Sequence, residues 1–345
     1  MSVEDISASA PAASAQRRLI RAVPYTESEA ERWDEFVAGA FAATFLHTRK
    51  FLSYHGNRFQ DASLLLENEK GELAGVLAAA ADPDNPKEVI SHPGITYGGV
   101  LHAGALRGER MIEAFEAARN CWLGQGFQTL RYKPVPHIYH RVPSGDDLYA
   151  LFRLKAKRYR CDLSCSVDLS GRLRPSHGHI RGARQAQKQG VVVNEGAERA
   201  AQLWQVLEEN LAEKHGARPV HTLAEIQHLH SLFPANIQFV TGVREGQVIA
   251  GVVLFVTPRV VHAQYIASRA AAAKTYALDL VLEHCIRGAA AQGARYFDFG
   301  ISNERQGQYL NTGLYQFKAE FGGGGVVHEC YELDLRRPEC AGNDA

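Results

Sequence analysis

Glu69-Lys70-Gly71-Glu72-Leu73-Ala74-Gly75-Val76 and Arg244-Glu245-Gly246-Gln247-Val248-Ile249-Ala250-Gly251-Val252 are two versions of one phrase, the second longer by one residue. Each sets a glycine turn between apolar runs, the pattern of a β-hairpin whose glycine takes the left-handed conformation. A second pair follows in the same order: Gln125-Gly126-Phe127-Gln128-Thr129-Leu130-Arg131-Tyr132 and Gln292-Gly293-Ala294-Arg295-Tyr296-Phe297-Asp298-Phe299. The offsets, 175 and 167 residues, differ by eight, so one insertion or deletion between the landmarks reconciles them. In the first half a strand near Val89–Ser91 and a helix marked by Met111, Phe115, Ala118 and Trp122 lie between the landmarks. Each half therefore reads hairpin, strand, helix, strand, and a duplicated α+β unit is the simplest account.

Length agrees, because 345 residues exceed what a single hydrophobic core usually serves. The expected division is a tail over 1–16, one unit over 17–170, a second over 171–337 and a short tail over 338–345. Apolar residues make up 46% and charged residues 22%, which excludes disordered, collagenous and coiled-coil chains. Lys+Arg and Asp+Glu both number 38, so no bulk field favours DNA or a membrane surface. The six cysteines are scattered, which argues against a disulfide framework and for a reducing compartment. The N-terminus lacks a basic segment followed by an apolar one, and no run of about eighteen apolar residues occurs. The expectation is a cytoplasmic protein without a transmembrane segment.

Thr26 and Glu29 have the spacing of a capping box before a helix carrying Trp33, Phe36 and Val37, and Thr222 and Glu225 repeat that spacing. Between the halves, Tyr159–Leu169 reads as a strand and Ile180–Gln189 as a basic helix. Ala197–His215 reads as a helix with Leu203, Trp204, Leu207 and Leu211 on one face.

Neither His177-Gly178-His179 nor His221/His228/His230 completes a zinc pattern, and no metal is expected. Cys161 and Cys165 share a strand face as small core residues. There is no GxSxG, GxGxxG, HExxH or Walker-type loop. The informative stretch is Tyr296-Phe297-Asp298-Phe299-Gly300-Ile301-Ser302-Asn303-Glu304, followed by Leu310-Asn311-Thr312-Gly313-Leu314-Tyr315-Gln316-Phe317-Lys318-Ala319-Glu320-Phe321-Gly322. A strand of alternating aromatics brings Asp298 to a loop. Lys318 is anchored by its stem between Phe317 and Phe321, so its ammonium can meet a phosphate or a developing oxyanion.

Those two segments resemble the carboxy-terminal signature of the Fem-type (FemABX-like) acyltransferases, which are tandem GNAT-like proteins. Phe45-Leu46-His47-Thr48 before Phe51, Ser91-His92-Pro93-Gly94-Ile95-Thr96-Tyr97-Gly98-Gly99, and the basic helix with Arg181, Arg184 and Lys188 agree with it. The likeness runs from about Leu19 to Leu335. It implies two α+β GNAT-like domains with mixed central sheets flanked by helices. It also implies an acyl or aminoacyl transferase that forms an amide on an amine of a cell-envelope, peptidoglycan-type or glycan precursor. The donor would be a cosubstrate, aminoacyl-tRNA or acyl-CoA, with no tightly bound cofactor, and the acceptor a small or lipid-linked molecule. Where a GNAT phosphate loop would stand, Ala267-Ser268-Arg269-Ala270-Ala271-Ala272-Ala273-Lys274-Thr275-Tyr276 has no glycine, which argues against simple acetyl-CoA binding there. The resemblance carries contact with the donor to Lys318, and makes Arg58, Arg181 and Arg184 candidates for acceptor phosphates. Asp298 is expected to be the acceptor-side base or an orienting carboxylate. His92 and Tyr97, in a glycine-rich turn, together with His55, Asn303 and Asn311, complete the expected substrate contacts. The alternative is a tandem GNAT-like binding protein without catalysis. An RNA-binding adaptor is disfavoured by the zero net charge.

Overall fold

The computed structural model describes residues 19–337, so the two expected tails lie outside the described residues apart from the sequence flanking them. The first half contains β1 (Arg21–Pro24), α1 (Ala30–Gly39), α2 (Arg49–Leu52), β2 (Leu64–Glu67), β3 (Leu73–Leu77), β4 (Ala80–Asp82), β5 (Asn85–Ile90), β6 (Val100–Leu101), α3 (Glu109–Gly124), β7 (Thr129–Tyr132) and α4 (Asp146–Arg153). A long strand, β8 (Lys157–Asp168), leads into α5 (His177–Lys188), β9 (Val192–Glu195), α6 (Ala200–His215), α7 (Leu223–Leu232), β10 (Ile237–Arg244), β11 (Gln247–Val256), β12 (Val260–Ser268) and α8 (Ala277–Ala291). The chain closes with β13 (Tyr296–Ile301), β14 (Asn303–Glu304), β15 (Tyr309–Leu310), α9 (Thr312–Ala319) and β16 (Gly324–Asp334).

The repeated phrases form the two hairpins β2–β3 and β10–β11, with Gly71 at φ 77° and Gly246 at φ 80°. In each half a helix then connects two parallel strands: α3 joins β5 to β7, and α8 joins β12 to β13. The other strand pairs are antiparallel. Ten strands form one sheet in the order β4-β5-β7-β16-β8-β13-β12-β11-β10-β9, beside a four-stranded sheet β1-β2-β3-β6 and the small hairpin β14–β15. The last strand, β16, lies between β7 of the first half and β8, and β8 pairs on its other edge with β13. β8 and β16 therefore form a ribbon that joins first-half strands to second-half strands within the one ten-stranded sheet, and β16 crosses the division expected at residue 170.

Helix α3 buries Met111, Phe115, Ala118 and Trp122 at helical spacing, and the Trp122 indole donates to the Ala62 carbonyl at 2.9 Å. The expected box at Thr222 and Glu225 forms. The one at Thr26 does not: its hydroxyl engages Ser28, and the chain enters α1 through a 3₁₀ turn, Glu27–Glu29. An apolar cluster joins the halves, with Phe45 against Phe51, Phe233 and Phe255 at ring distances of 5.3–5.5 Å. Phe45→Ala would leave a void among three rings. It is expected to cost about 3–5 kcal/mol, read as a lower denaturant midpoint at unchanged m-value. Among the described residues no helix is long and apolar enough to cross a membrane.

Candidate active site

Strands β12 and β13 pair from Val260↔Tyr296 to His262↔Asp298 and no further, although β12 runs on to Ser268 and β13 to Ile301. Beyond that rung they part, and a cavity of about 970 Å³ opens there. In the first half the matching pair, β5 and β7, ends at Ile90↔Arg131, but the chain itself fills the gap. Gly98 donates from its backbone to the Lys133 carbonyl, and a Cβ at Gly98 would stand 2.1 Å from the Ser91 carbonyl oxygen. The glycine-rich turn is thus a plug, and the open cleft belongs to the second half.

Asp298, at the last rung, is fully buried. Its Oδ1 accepts from the hydroxyls of Ser164 (2.5 Å) and Ser166 (2.6 Å), which project from one face of β8, and its Oδ2 accepts from His262 Nδ1 (2.7 Å). Burial favours the neutral acid, but the hydrogen bond and charge of His262, the charge of His328 and the Ser164 hydroxyl outweigh it, holding the carboxyl well below the usual range. An ionised carboxylate only accepts, so His262 donates to it from Nδ1, which leaves Nε2 as the nitrogen not engaged by Asp298. The ring lines the cavity. A histidine oriented by a carboxylate on a cavity wall has the arrangement that general-base catalysis uses.

Beyond that rung the register of β13 against β8 also shifts, between Asp298 and Ile301, and the Gly300 and Ile301 carbonyls are met by a side chain. Lys318, on α9, takes them up, with its Nζ donating to Gly300 O at 2.9 Å and Ile301 O at 2.7 Å. Burial pulls its pKa down to about 8, against the counter-pull of the Asp298 charge. An ammonium has three N–H groups, so one remains for a ligand in the cavity that Lys318 lines. The opposite wall carries Lys133, whose Nζ donates to Ile95 O at 2.5 Å, and Arg160, paired with Asp162 at 2.7 Å. Among the described residues, no group of three or more His, Cys, Asp or Glu side chains is placed to hold a metal.

The fold brings Lys318, Tyr97 and Asn311 to this cavity, sets Asp298 behind its His262, and takes the other expected contacts elsewhere. Asp298 cannot itself meet the acceptor, since both its oxygens are engaged and no surface is exposed. This corrects the direct-base expectation, and the orienting role fits the geometry. Tyr97 is buried against Tyr139, with ring centroids 4.5 Å apart. Asn311 caps α9 by accepting from Leu314 N, while Asn303 accepts from Leu163 N and ties β14 to β8. His55 and His92 face each other at 5.2 Å beside a separate first-half cavity that also contains Asp34 and Arg49. Arg58 bridges to Glu225 at 3.0 Å across the two halves; the pair is half-exposed and worth at most about 1 kcal/mol. Arg181 and Arg184 flank a shallow hollow with His177 at the start of α5, sharing no residue with the main cavity. The cations that do line it are Lys133, Arg160, Arg218 and Lys318.

Two groups went unread in the sequence. His262 sits between Val261 and Ala263 in an apolar strand, and only the parallel register sets it beside Asp298. The other group had a signal: Arg160, Asp162, Ser164 and Ser166 alternate along β8, so polar side chains occupy every second position of a largely buried strand. Cys161 and Cys165 lie on the opposite face of the strand.

Residues 177–317 match the sequence model of the acetyltransferase (GNAT) domain. No curated protein matches the chain. Among solved structures the chain is similar to FemX, with a TM-score of 0.65 at 13% identity over 91% of this chain and 97% of that one. It is also similar to L-PGS from Bacillus licheniformis, with a TM-score of 0.57 at 12% identity over 89% of this chain and 91% of that one. A tandem GNAT protein from the clavulanic acid biosynthesis pathway gives 0.51 at 13% identity over 92% and 99%. Fold and domain match define the class: a tandem GNAT-like architecture similar to that of FemX, with an acetyltransferase (GNAT) domain over 177–317. The acetyltransferase (GNAT) domain is the half that holds the open cleft.

Proposed function

We propose that this protein forms an amide, moving an acyl or aminoacyl group from aminoacyl-tRNA or acyl-CoA to an amine of a cell-envelope, peptidoglycan-type or glycan precursor. The observation that carries the reading is the convergence of a carboxylate-oriented histidine and a buried ammonium on one cavity at the parting of β12 and β13. His262 Nε2 takes a proton from the acceptor amine as its lone pair attacks the acyl carbonyl. The third N–H of Lys318 meets the oxyanion or a donor phosphate. As the tetrahedral carbon collapses, the C–N bond stays, the ester C–O or thioester C–S bond breaks, and the proton held by His262 passes to the leaving oxygen or sulfur. No covalent acyl-enzyme is needed, because alignment of the two substrates supplies much of the effect. The likeness to FemX and L-PGS supports an envelope acceptor and an aminoacyl donor. The glycine-free segment Ala267–Tyr276, which runs from the end of β12 through a 3₁₀ turn (Ala270–Thr275) into α8, supports a donor held by side chains over one held by a phosphate loop. The same segment is what favours the alternative of a binding protein without catalysis. Purified full-length protein should be offered charged tRNAs and acyl-CoAs with nucleotide-sugar, lipid-linked and free amines. Transfer from one donor class is expected; no transfer from either to any amine would overturn the proposal.

A further inference from the structure

His262 and Tyr265 are three residues apart on β12, yet both face α6. They stand opposite Phe255 and Val253 of β11, which are two residues apart and so share a face, and the register shift between Val253 and Leu254 absorbs the extra residue. Phe255 and Val253 belong to the apolar cluster that α6 closes with Leu203, Trp204 and Leu207. The cavity wall on the His262 side is therefore the one α6 builds: Leu207 and Leu211, the Tyr265 ring, and Pro219 and Val220 from the loop that follows the helix. Its polar groups are turned to the protein. The backbone of His221 donates to the Tyr265 hydroxyl at 3.2 Å, and Asn210 donates to the Ser268 carbonyl at 2.9 Å, while Arg218 stands exposed at the mouth. The apolar surface, by contrast, is open: Val220 is 83% exposed, and Leu211, Pro219 and Tyr265 are half-buried. β12 runs six residues past His262 to Ser268, about 20 Å at the rise of a strand, with α6 pinned alongside.

The opposite wall, from the end of β7 and from β8 and β16, is charged, with Lys133, Arg160, Asp162 and Glu329. Apolar surface left open inside a cleft fits a ligand that covers it. At a tetrahedral carbon the acyl substituent and the incoming nitrogen point in different directions, and a glycan- or peptide-type acceptor, rich in polar groups, belongs on the charged wall. We infer that the α6 wall is the subsite for the acyl group of the donor and selects an apolar group of several carbons, an aliphatic chain or a branched aminoacyl side chain, over an acetyl, glycyl or charged one. The inference rests on the acyl-transfer reading and deepens it by naming the class of group transferred.

Binding is measured first, by thermal unfolding of the full-length protein without donor. Octanamide is expected to raise the midpoint, acetamide at equal concentration to leave it unmoved, and Leu211→Trp, which fills the wall, to reduce the octanamide shift. In the transfer assay two donor series separate the possible carriers. With acyl-CoAs, kcat/KM should rise about fourfold per methylene from acetyl through butanoyl to octanoyl until the wall is covered. With charged tRNAs, leucyl should exceed glycyl and lysyl by about 10–100-fold. Leu211→Trp should lower the octanoyl-to-acetyl or leucyl-to-glycyl ratio about tenfold, and Val220→Asp, at an exposed position that the fold does not need, should lower it in the same direction. Damage to the fold alone would scale all donors together and leave the ratio unmoved. No octanamide shift, equal kcat/KM along both series, or a wild-type ratio in both variants would overturn the subsite. So would a preference for octylamine over ethylamine as acceptor that both variants abolish, since the wall would then serve the acceptor. Octanamide binding that Leu211→Trp removes, with no transfer from any donor, would instead refute the acyl-transfer reading and leave the apolar site standing.

Discussion

His262→Gln is expected to lower kcat by about 10²–10⁴, the usual worth of a positioned general base, with the circular dichroism spectrum and the donor KM unchanged. Glutamine keeps a polar group near Asp298 but has no nitrogen lone pair to take a proton. Asp298→Asn tests the same device from behind. An amide at the 0%-exposed position can donate toward the ring, which permits the tautomer with its proton on Nε2 and so removes the base without moving it. Two serine hydroxyls already donate to Oδ1, so the amide nitrogen is expected to turn toward His262. The loss should approach that of His262→Gln, and the double variant should be little worse than either single one, because the two residues act as a unit. If both single variants kept near-wild-type kcat in single-turnover assays, the base would lie elsewhere.

Lys318→Met should lower kcat by about 10²–10³, the range for removing one preorganised donor to a developing oxyanion. Methionine keeps most of the apolar stem beside Phe317 and Phe321, so the change falls on the ammonium. Two effects on stability oppose each other. The burial cost of a charge disappears, but the Gly300 and Ile301 carbonyls lose their donor. A direct test of charge uses pH. With the folded-state pKa lowered to about 8, the ammonium is present below that value and lost above it. Wild-type kcat/KM should therefore fall as pH rises through about 8, and Lys318→Arg, charged throughout, should keep whatever activity it has into more alkaline buffer. The linkage has a matching sign in stability: between about 8 and the ordinary 10.5 the unfolded chain holds a proton that the fold has released, so this group makes the fold more stable as pH rises across that window. An alkaline limb unchanged between wild type and Lys318→Arg would remove Lys318 from the reaction.

How much of this was legible in the chain differs from element to element. The glycine turns of the two hairpins, the helical spacing of Met111 to Trp122, and the order of parts in each half depend on local conformational preference, which short segments express by themselves. Asp298 and Lys318 also stood out, one at the end of an aromatic run and the other between two phenylalanines. What such patterns do not carry is register. His262 became visible only when β12 and β13 were seen to pair in parallel and then part. Arg181 and Arg184, grouped convincingly on a basic helix, proved to face a hollow away from the cleft.

The sequence by itself determined the duplicated α+β unit and the apolar faces that close each core, because hydrophobic periodicity and turn chemistry act over a few residues. Tertiary structure alone decided that β16 crosses back to join the two halves in one sheet, that the first cleft is plugged by Gly98 while the second stays open, and that His262, Asp162 and His328 line one cavity with Lys318. Those outcomes depend on strands finding one register across separations from about 36 residues, for β12 and β13, to well over a hundred, for β16 with β7 and β8, and nothing local to any of them encodes the partner it will meet.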